Sequence, residues 1–370
     1  MGAAWGPMPD PFLTVGVLML PTMKMIDLRS DTVTRPTKEM LSAMTRAELG
    51  DDVLGDDPTV IRLQEVFAQR VGKAAACFVP TGTMANQTAI RAHCEPGDEI
   101  IAHADSHIIH YETGGPAALS GCMIRPLSGE RGQFDVEDLE AAVRPVGIHA
   151  PNSRLLEIEN TQNRGGGSVW ALDRLRRVTK RGRELGLKLH LDGARLWNAH
   201  VASGVSMAEY ASHFDTVSCC FSKGLGTPAG SIVGGDVETI RRVARFRKMF
   251  GGAMRQAGIL AGAALYAMEH HVQRLAEDHA NARRLAEGIA NIKGLSLHPE
   301  QAKHGVESNL VFFDLSPSLP MTAADLSAKL RSNGVLIMAT AARRMRAVTH
   351  LDASREQVEQ VLKVLADAVR

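Results

Sequence analysis

Apolar residues recur along the chain in two periods, and the two alternate. In PTVIRLQEVFAQRVG (58–72), Val60, Leu63, Phe67 and Val71 fall three to four residues apart, the spacing of one buried helix face. AACFVP (75–80) is a short unbroken apolar run ending on the turn TGT, which predicts a strand buried on both faces. MANQTAIRAHC (84–94) returns to helical spacing and DEIIAH (98–103) to the strand pattern. CMIRPL, RLLEIEN, LKLHLD, DTVSCCFS and GSIVGG repeat the strand signal, with amphipathic stretches such as ALDRLRRVTKRGRELG (171–186) between them. Strands alternating with helices of this length imply βαβ crossovers and a mostly parallel sheet.

The texture changes after about residue 253. One long helical region is expected over 257–291, then a strand at NLVFFDL, a helix near 322–332, a strand at GVLIM, a second ending in VTHL, and a terminal helix over 353–369. This predicts a large α/β domain over 25–273 and a smaller C-terminal α+β domain over 274–370, closely packed, with a site between them. Residues 1–24 read as a loose N-terminal extension. Their apolar part, Phe12 to Leu20, is too short to span a bilayer, no basic region precedes it, and Met25 would open a sensible domain.

Composition narrows the function classes. Lys and Arg number 42 against 41 Asp and Glu, a formal charge of +1, so nothing draws the 370-residue chain to nucleic acid or an anionic membrane. A hydrophobic share of 45% with 22% charged residues describes a globular chain that buries a large core. The five cysteines, Cys77, Cys94, Cys122, Cys219 and Cys220, show no CxxC spacing. A disulfide framework or a cysteine metal site is therefore not expected, and a reducing, cytoplasmic location is.

Three pieces carry candidate chemistry. Lys223 follows the strand-like DTVSCC, in the small-residue turn FSKGLGTPAG. In parallel sheets ligands bind at that carboxyl edge, where a lysine can lose its proton and attack a carbonyl. GLGTPAG carries Ala229 where a dinucleotide loop needs glycine, so no such loop is read. Asp192, in LHLDGARLWNA, sits at the end of another strand. Its charge is matched either by Arg195, three residues on, or by the protonated nitrogen of a heteroaromatic cofactor. PTGTMANQ (80–87) joins strand, tight turn and helix, with Gly82 allowing close approach and Thr83 offering a hydroxyl at a helix N-terminus; it is a phosphate cradle or an ordinary threonine cap. A nucleophilic lysine, a carboxylate for a ring nitrogen and a phosphate cradle are together what pyridoxal 5′-phosphate requires.

Here the chain resembles a known family. IDLRSDTVTRPT (26–37), GDDVLGDDPT (50–59), PTGTMANQ (80–87), ENTQN (159–163), HLDGARLWNA (190–199), SKGLGTPAGS (222–231), GGAMRQAGILA (251–261) and RAVTHLD (346–352) are similar, in order and without a large gap, to the low-specificity L-threonine aldolases. These are lyases of the beta-eliminating lyase/threonine aldolase group, with the pyridoxal-phosphate-dependent transferase fold type I, aspartate-aminotransferase-like. The resemblance implies a large domain with a mostly parallel sheet and a smaller C-terminal α+β domain.

It also implies roles. Lys223 would carry the cofactor covalently and Asp192 would pair with its ring nitrogen. Gly82 and Thr83 would bind the phosphate, with Arg255 reaching it from a neighbouring subunit. His107 would stack on the ring, with His110 close enough to exchange roles. Ser30, Arg195 and Arg346 would hold the substrate carboxylate, as arginine forks do. Arg346 is preferred over Arg343 and Arg344, which read as loop charges. His149 would lie near the substrate hydroxyl. Leu54 and Gln162 stand where many relatives carry tyrosine and histidine, a difference expected to change the pocket's polarity.

The activity implied is retro-aldol cleavage of L-threonine, L-allo-threonine and related β-hydroxy-α-amino acids to glycine and an aldehyde. The base for the hydroxyl stays open between His149, His107 and a water held by Glu112. The competing readings are a lyase preferring phenylserine-like substrates or performing β-elimination, a transaminase, and a scaffold without catalysis. A homotetramer, a dimer of dimers with sites at subunit interfaces, is the assembly the resemblance implies.

Overall fold

The structure is a computed structural model describing residues 25–370. The expectation for residues 1–24 lies outside the described residues. Thirteen strands are described: β1 (Ile26–Asp27), β2 (Ala75–Val79), β3 (Glu99–His103), β4 (Met123–Leu127), β5 (Ser153–Glu159), β6 (Lys188–Asp192), β7 (Thr216–Cys220), β8 (Ser231–Gly235), β9 (Leu295–Leu297), β10 (Leu310–Leu315), β11 (Val335–Leu336), β12 (Met338–Ala341) and β13 (Arg344–Val348).

Seven of these form one sheet in the order β2-β8-β7-β6-β5-β3-β4. Pairings among β3 to β7 are parallel, and β8 alone runs antiparallel, to both β2 and β7. The carboxyl ends of β2, β3, β5, β6 and β7 therefore share one edge. The helix Pro58–Val71 shows how local sequence builds the flanking layers. Asp57 caps it by accepting from Thr59 and Val60, proline opens its first turn, and Gly72 at φ +63° ends it. Its face of Val60, Leu63, Phe67 and Val71 is at most 1% exposed, in the core with Trp197 and Phe221. Burial of each such side chain stabilises the fold by about 1.5–3 kcal/mol.

A four-stranded antiparallel sheet, β12-β13-β10-β9, makes the second unit with its own core. Two expectations are corrected here. The chain's first strand, placed with the large domain, pairs instead with β11, and Ile26 and Leu28 are buried in the second core. A two-residue strand has too little periodicity to declare its partner. The helical region over 257–291 is two helices, Gly258–His270 and Leu275–Ala290. The break falls where the His271 ring bonds the Leu225 carbonyl at 2.7 Å, so the turn after Lys223 is braced by the helix junction. Leu275 packs in the first core, whereas Ala282, Leu285, Ala286 and Ile289 pack in the second.

Candidate active site

Asp192 ends β6, Glu159 ends β5 beside it, and Lys223 lies three residues beyond the end of β7. The Lys223 turn is tied to the neighbouring turn: Phe221 donates to Gly230 O (3.0 Å) and Gly230 to Pro80 O (3.0 Å). Pro80 leads into Thr81, which caps the helix Gly82–His93 by accepting from Met84. Thr81 is thus the cap, and Thr83 sits in the first turn at the helix N-terminus. A Cβ on Gly82 would come within 2.7 Å of Cys220 Sγ. Only glycine lets this helix start so close to the end of β7. The unpaired amides of the first turn thereby open onto the same edge as Lys223, an anion-binding arrangement.

Lys223 is half-buried, and its carbonyl accepts from Gly226 N (2.8 Å). Its amine forms no hydrogen bond or ion pair among the described residues, yet its charge bears on Asp192, His107 and Asp31. Asp192 is 1% exposed. Its carboxylate accepts from Ala194 N (3.0 Å) and Asn86 Nδ2 (2.7 Å). Burial pushes its pKa up, but the His107 and Lys223 charges and the Ala194 amide outweigh burial and hold it below the usual value.

His107 opens a short helix after β3, its backbone N donating to Glu159 (2.9 Å) and its Nδ1 bonded to Glu112 Oε1 (2.7 Å). A ring nitrogen of His107 and oxygens of Glu112 and Asp192 lie within 4.8 Å of one another. Burial lowers the His107 pKa, but the Glu112 hydrogen bond and the Asp192 charge reverse this and raise it. Glu112→Gln should therefore lower it, since the imidazolium loses an anionic acceptor while the burial penalty stays. A ring-nitrogen NMR titration of His107 reads this shift, and an unchanged or raised value would contradict the pairing. His110 is exposed and bonds Ala104 O (2.9 Å), so it does not exchange roles with His107.

The arginines divide in a way the sequence left open. Arg195 is not the partner of Asp192. Its Nε and Nη2 bind Asp31 at 2.7 and 2.6 Å, with both side chains buried and Asn309 also on Asp31 (3.2 Å). Arg346 has no carboxylate partner among the described residues. It donates to Asn163 Oδ1 (3.3 Å) and Arg29 O (3.1 Å), and its buried Nε is unbonded. Burial, and then the nearby Arg195 charge, lower its pKa. Arg344 and Arg346 both lie within β13, so neither is a loop charge; Arg344 is taken by Asp314 (2.8 Å), and Arg343 binds the Leu315 carbonyl (3.0 Å). Ser30 caps the turn containing Asp31, accepting from Thr32 (3.3 Å). A cavity of about 270 Å³ opens beside Arg346, lined by Tyr111, Arg164, His298 and Phe312.

Other expected residues lie elsewhere. His149 is exposed in the loop before β5, at the amino edge of the sheet, so within one chain it does not reach this group. Arg255 pairs with Asp51 (2.9 Å) and is largely exposed. Leu54 is 75% exposed. Gln162 is fully buried, its amide spent on Asp105 O (2.9 Å) and Gly165 N (2.5 Å), so it shapes a loop and leaves the pocket's polarity alone. Sequence reasoning assigned no role to Asn86 or Asp31, both buried. The available signal for Asn86 was its place beside Gln87 between Ala85 and Ala89, on the buried part of the helix Gly82–His93.

Comparison with known proteins identifies the family and the fold. Residues 27–314 match the family model described as beta-eliminating lyase. The chain is 42% identical to a low specificity L-threonine aldolase of Escherichia coli K12 over 91% of its length and 97% of the relative. It is 40% identical to low-specificity L-threonine aldolase 1 of Arabidopsis thaliana, covering 94% and 97%. The solved threonine aldolase of Leishmania major superposes with a TM-score of 0.77 at 20% identity, covering 93% and 99%, which shows a shared fold.

Proposed function

The chain belongs to the beta-eliminating lyase family, and from that membership we propose a pyridoxal-phosphate-dependent lyase that cleaves β-hydroxy-α-amino acids, threonine included, to glycine and an aldehyde. The observation that carries this reading is a pair of unsatisfied cations that both bear on the buried Asp31: the Lys223 amine, with no side-chain partner among the described residues, and Arg346 on β13, with no carboxylate among them. An amine held free beside a buried carboxylate suits a carbonyl-bearing cofactor, and a half-buried guanidinium with no carboxylate partner suits a substrate carboxylate.

The residues fit the cofactor. Lys223 would hold it covalently, Asp192 would face its ring nitrogen, and His107 would lie against its ring. Gly82 and Thr83 would hold its phosphate at a helix start that a Cβ would obstruct. When bound, the cofactor supplies a conjugated ring that accepts electrons from a bond broken at the substrate's Cα. The protein's own part is orientation and proton handling. Arg346 binds the carboxylate, with Ser30 and the Asp31-held Arg195 setting the other side. Fixing that carboxylate fixes which substituent of Cα stands perpendicular to the ring, and so which bond is weakened. His107, held by Glu112 with a raised pKa, is placed to hold a proton close to the Asp192 carboxylate.

We place the site at subunit contacts of a cytoplasmic homotetramer. Leu49, Leu54, Met249 and Ile259 are exposed on two adjoining segments, which the Asp51–Arg255 pair joins. Contiguous exposed apolar residues mark association surfaces. Arg255 would reach the phosphate of a second copy. His149, flanked by the fully exposed Val146 and Ile148, would serve a neighbour's site in the same way. No helix among the described residues is long and apolar enough to cross a membrane.

A substrate panel tests the reading. L-threonine, L-allo-threonine and L-phenylserine should each yield glycine and the matching aldehyde, and D-isomers should not. Keto acid and ammonia as the products would instead establish β-elimination and overturn the aldolase reading.

A further inference from the structure

Asn86 lies on the second turn of the helix Gly82–His93 and is 3% exposed. Its Nδ2 donates to Asp192 Oδ2 (2.7 Å) and to Glu112 Oε1 (2.9 Å). Its Oδ1 accepts from Ser218 Oγ (3.0 Å) and from His190 Nε2 (3.2 Å). An asparagine amide has two donor hydrogens and two acceptor lone pairs, so every one is used. The orientation follows from chemistry: turned over, the amide would set its oxygen against two carboxylates.

The residues behind the amide hold it in that sense. His190 Nδ1 meets Thr216 Oγ1 (2.8 Å), and Thr216 Oγ1 also meets His93 Nε2 (2.9 Å). Because His190 gives its Nε2 hydrogen to Asn86, its Nδ1 accepts the single Thr216 hydroxyl hydrogen. His93 must then donate to Thr216. The result is a one-way series, His93 to Thr216 to His190 to Asn86 to Asp192. Burial pushes His93 down to about 3 and His190 down to about 4, so both rings are neutral and the series carries aligned dipoles. At the other branch, Glu112 takes Gln87 Nε2 (2.5 Å) and His107 Nδ1 (2.7 Å), so Asn86 bears on both the group facing the ring nitrogen and the group against the ring.

We propose that Asn86 is the positioning residue of this site, fixing the Asp192 carboxylate toward the cofactor's ring nitrogen while steadying Glu112 behind His107. The proposal rests on the cofactor reading above. Asn86 touches neither substrate nor cofactor and acts through the two carboxylates.

The test is a double-mutant cycle read by the dissociation constant for pyridoxal phosphate, with the melting temperature of the cofactor-free protein as a control. Asn86→Ala should weaken cofactor binding by about tenfold or more, the worth of a hydrogen bond to a charged group. In an Asp192→Asn background the same change should cost under about twofold, because the carboxylate through which Asn86 acts is gone. Equal losses in both backgrounds would overturn the proposal, since a side chain that only fills space would act alike in each. If Asn86→Ala does not fold, Ser218→Ala serves. It leaves both carboxylate contacts and removes one of the two groups holding the amide oxygen. A loss of about threefold that vanishes in Asp192→Asn would support the proposal, and no loss in the native background would overturn it. Native protein that takes up no pyridoxal phosphate would overturn the cofactor reading itself, an outcome separate from binding with equal losses.

Discussion

Lys223→Ala should remove the visible absorption of the bound cofactor and lower glycine formation by about a thousandfold or more, while leaving the fold intact. The size of the loss follows from the role: without the attached amine the covalent route is closed, and only binding and orientation remain. The silence in stability follows from the surroundings. The amine of half-buried Lys223 has no partner among the described residues, so no buried group is orphaned when it leaves. Substitutions of that kind shift stability by about 0.5 kcal/mol or less. Absorption spectra and urea midpoints of the two proteins decide the matter. A variant that keeps its colour and its turnover would end the proposed chemistry.

The second large effect separates two arginines that look alike in the sequence. Arg346→Leu should lower kcat/KM for threonine by about a hundredfold or more, because truncating one partner of a desolvated charge pair costs about 2–5 kcal/mol. The same variant should be as stable as the native protein or more so. It removes a half-buried cation that has no carboxylate among the described residues and that sits near a second cation, Arg195. Arg195→Leu should do the reverse. It would leave Asp31, fully buried, without its bidentate partner, and cost about 3–5 kcal/mol. Denaturation and steady-state kinetics on both variants give four numbers. If Arg346→Leu were destabilised as strongly as Arg195→Leu, Arg346 would be a structural cation and not the substrate's anchor.

The proposed site also shows why some positions carry pKa values far from their usual range. Glu157 and Glu159 lie two residues apart on β5, both fully buried. Burial, and next the Asp192 charge, push Glu159 up to about 7, and the same two causes raise Glu157 well above the carboxylate range. A neutral carboxyl at Glu157 spares Asp192 one further anion, and Glu159 carries only part of a charge near neutral pH, so Asp192 remains the charge that faces Lys223 and His107.

How far the sequence reached can be judged from these residues. The positions of Lys223, Asp192 and Gly82 were legible because each follows a short apolar run, and a parallel sheet places all such run-ends at one edge. The helix Pro58–Val71 was legible from its spacing, its aspartate cap and its closing glycine. Arg346 could be named, but the reason for choosing it could not: Arg343, Arg344 and Arg346 differ only in what Leu315, Asp314 and Asn163 offer them across the fold. That His149 lies away from this group within one chain could not be read for the same reason. Motif order records sequence neighbours, whereas a seven-residue strand sets its two ends about 20 Å apart.

By itself, then, the order of residues determined the alternation of elements, the sheet edge where chemistry gathers and the residue types brought there, because periodicity and turn chemistry act over a few positions. Only the tertiary structure decided which charges are spent and which are free. Asp31 neutralises Arg195 from 164 residues away, and Asn86 grips Asp192 from 106 residues away. Such pairings exist only once burial has stripped water from both partners, and no local pattern encodes them.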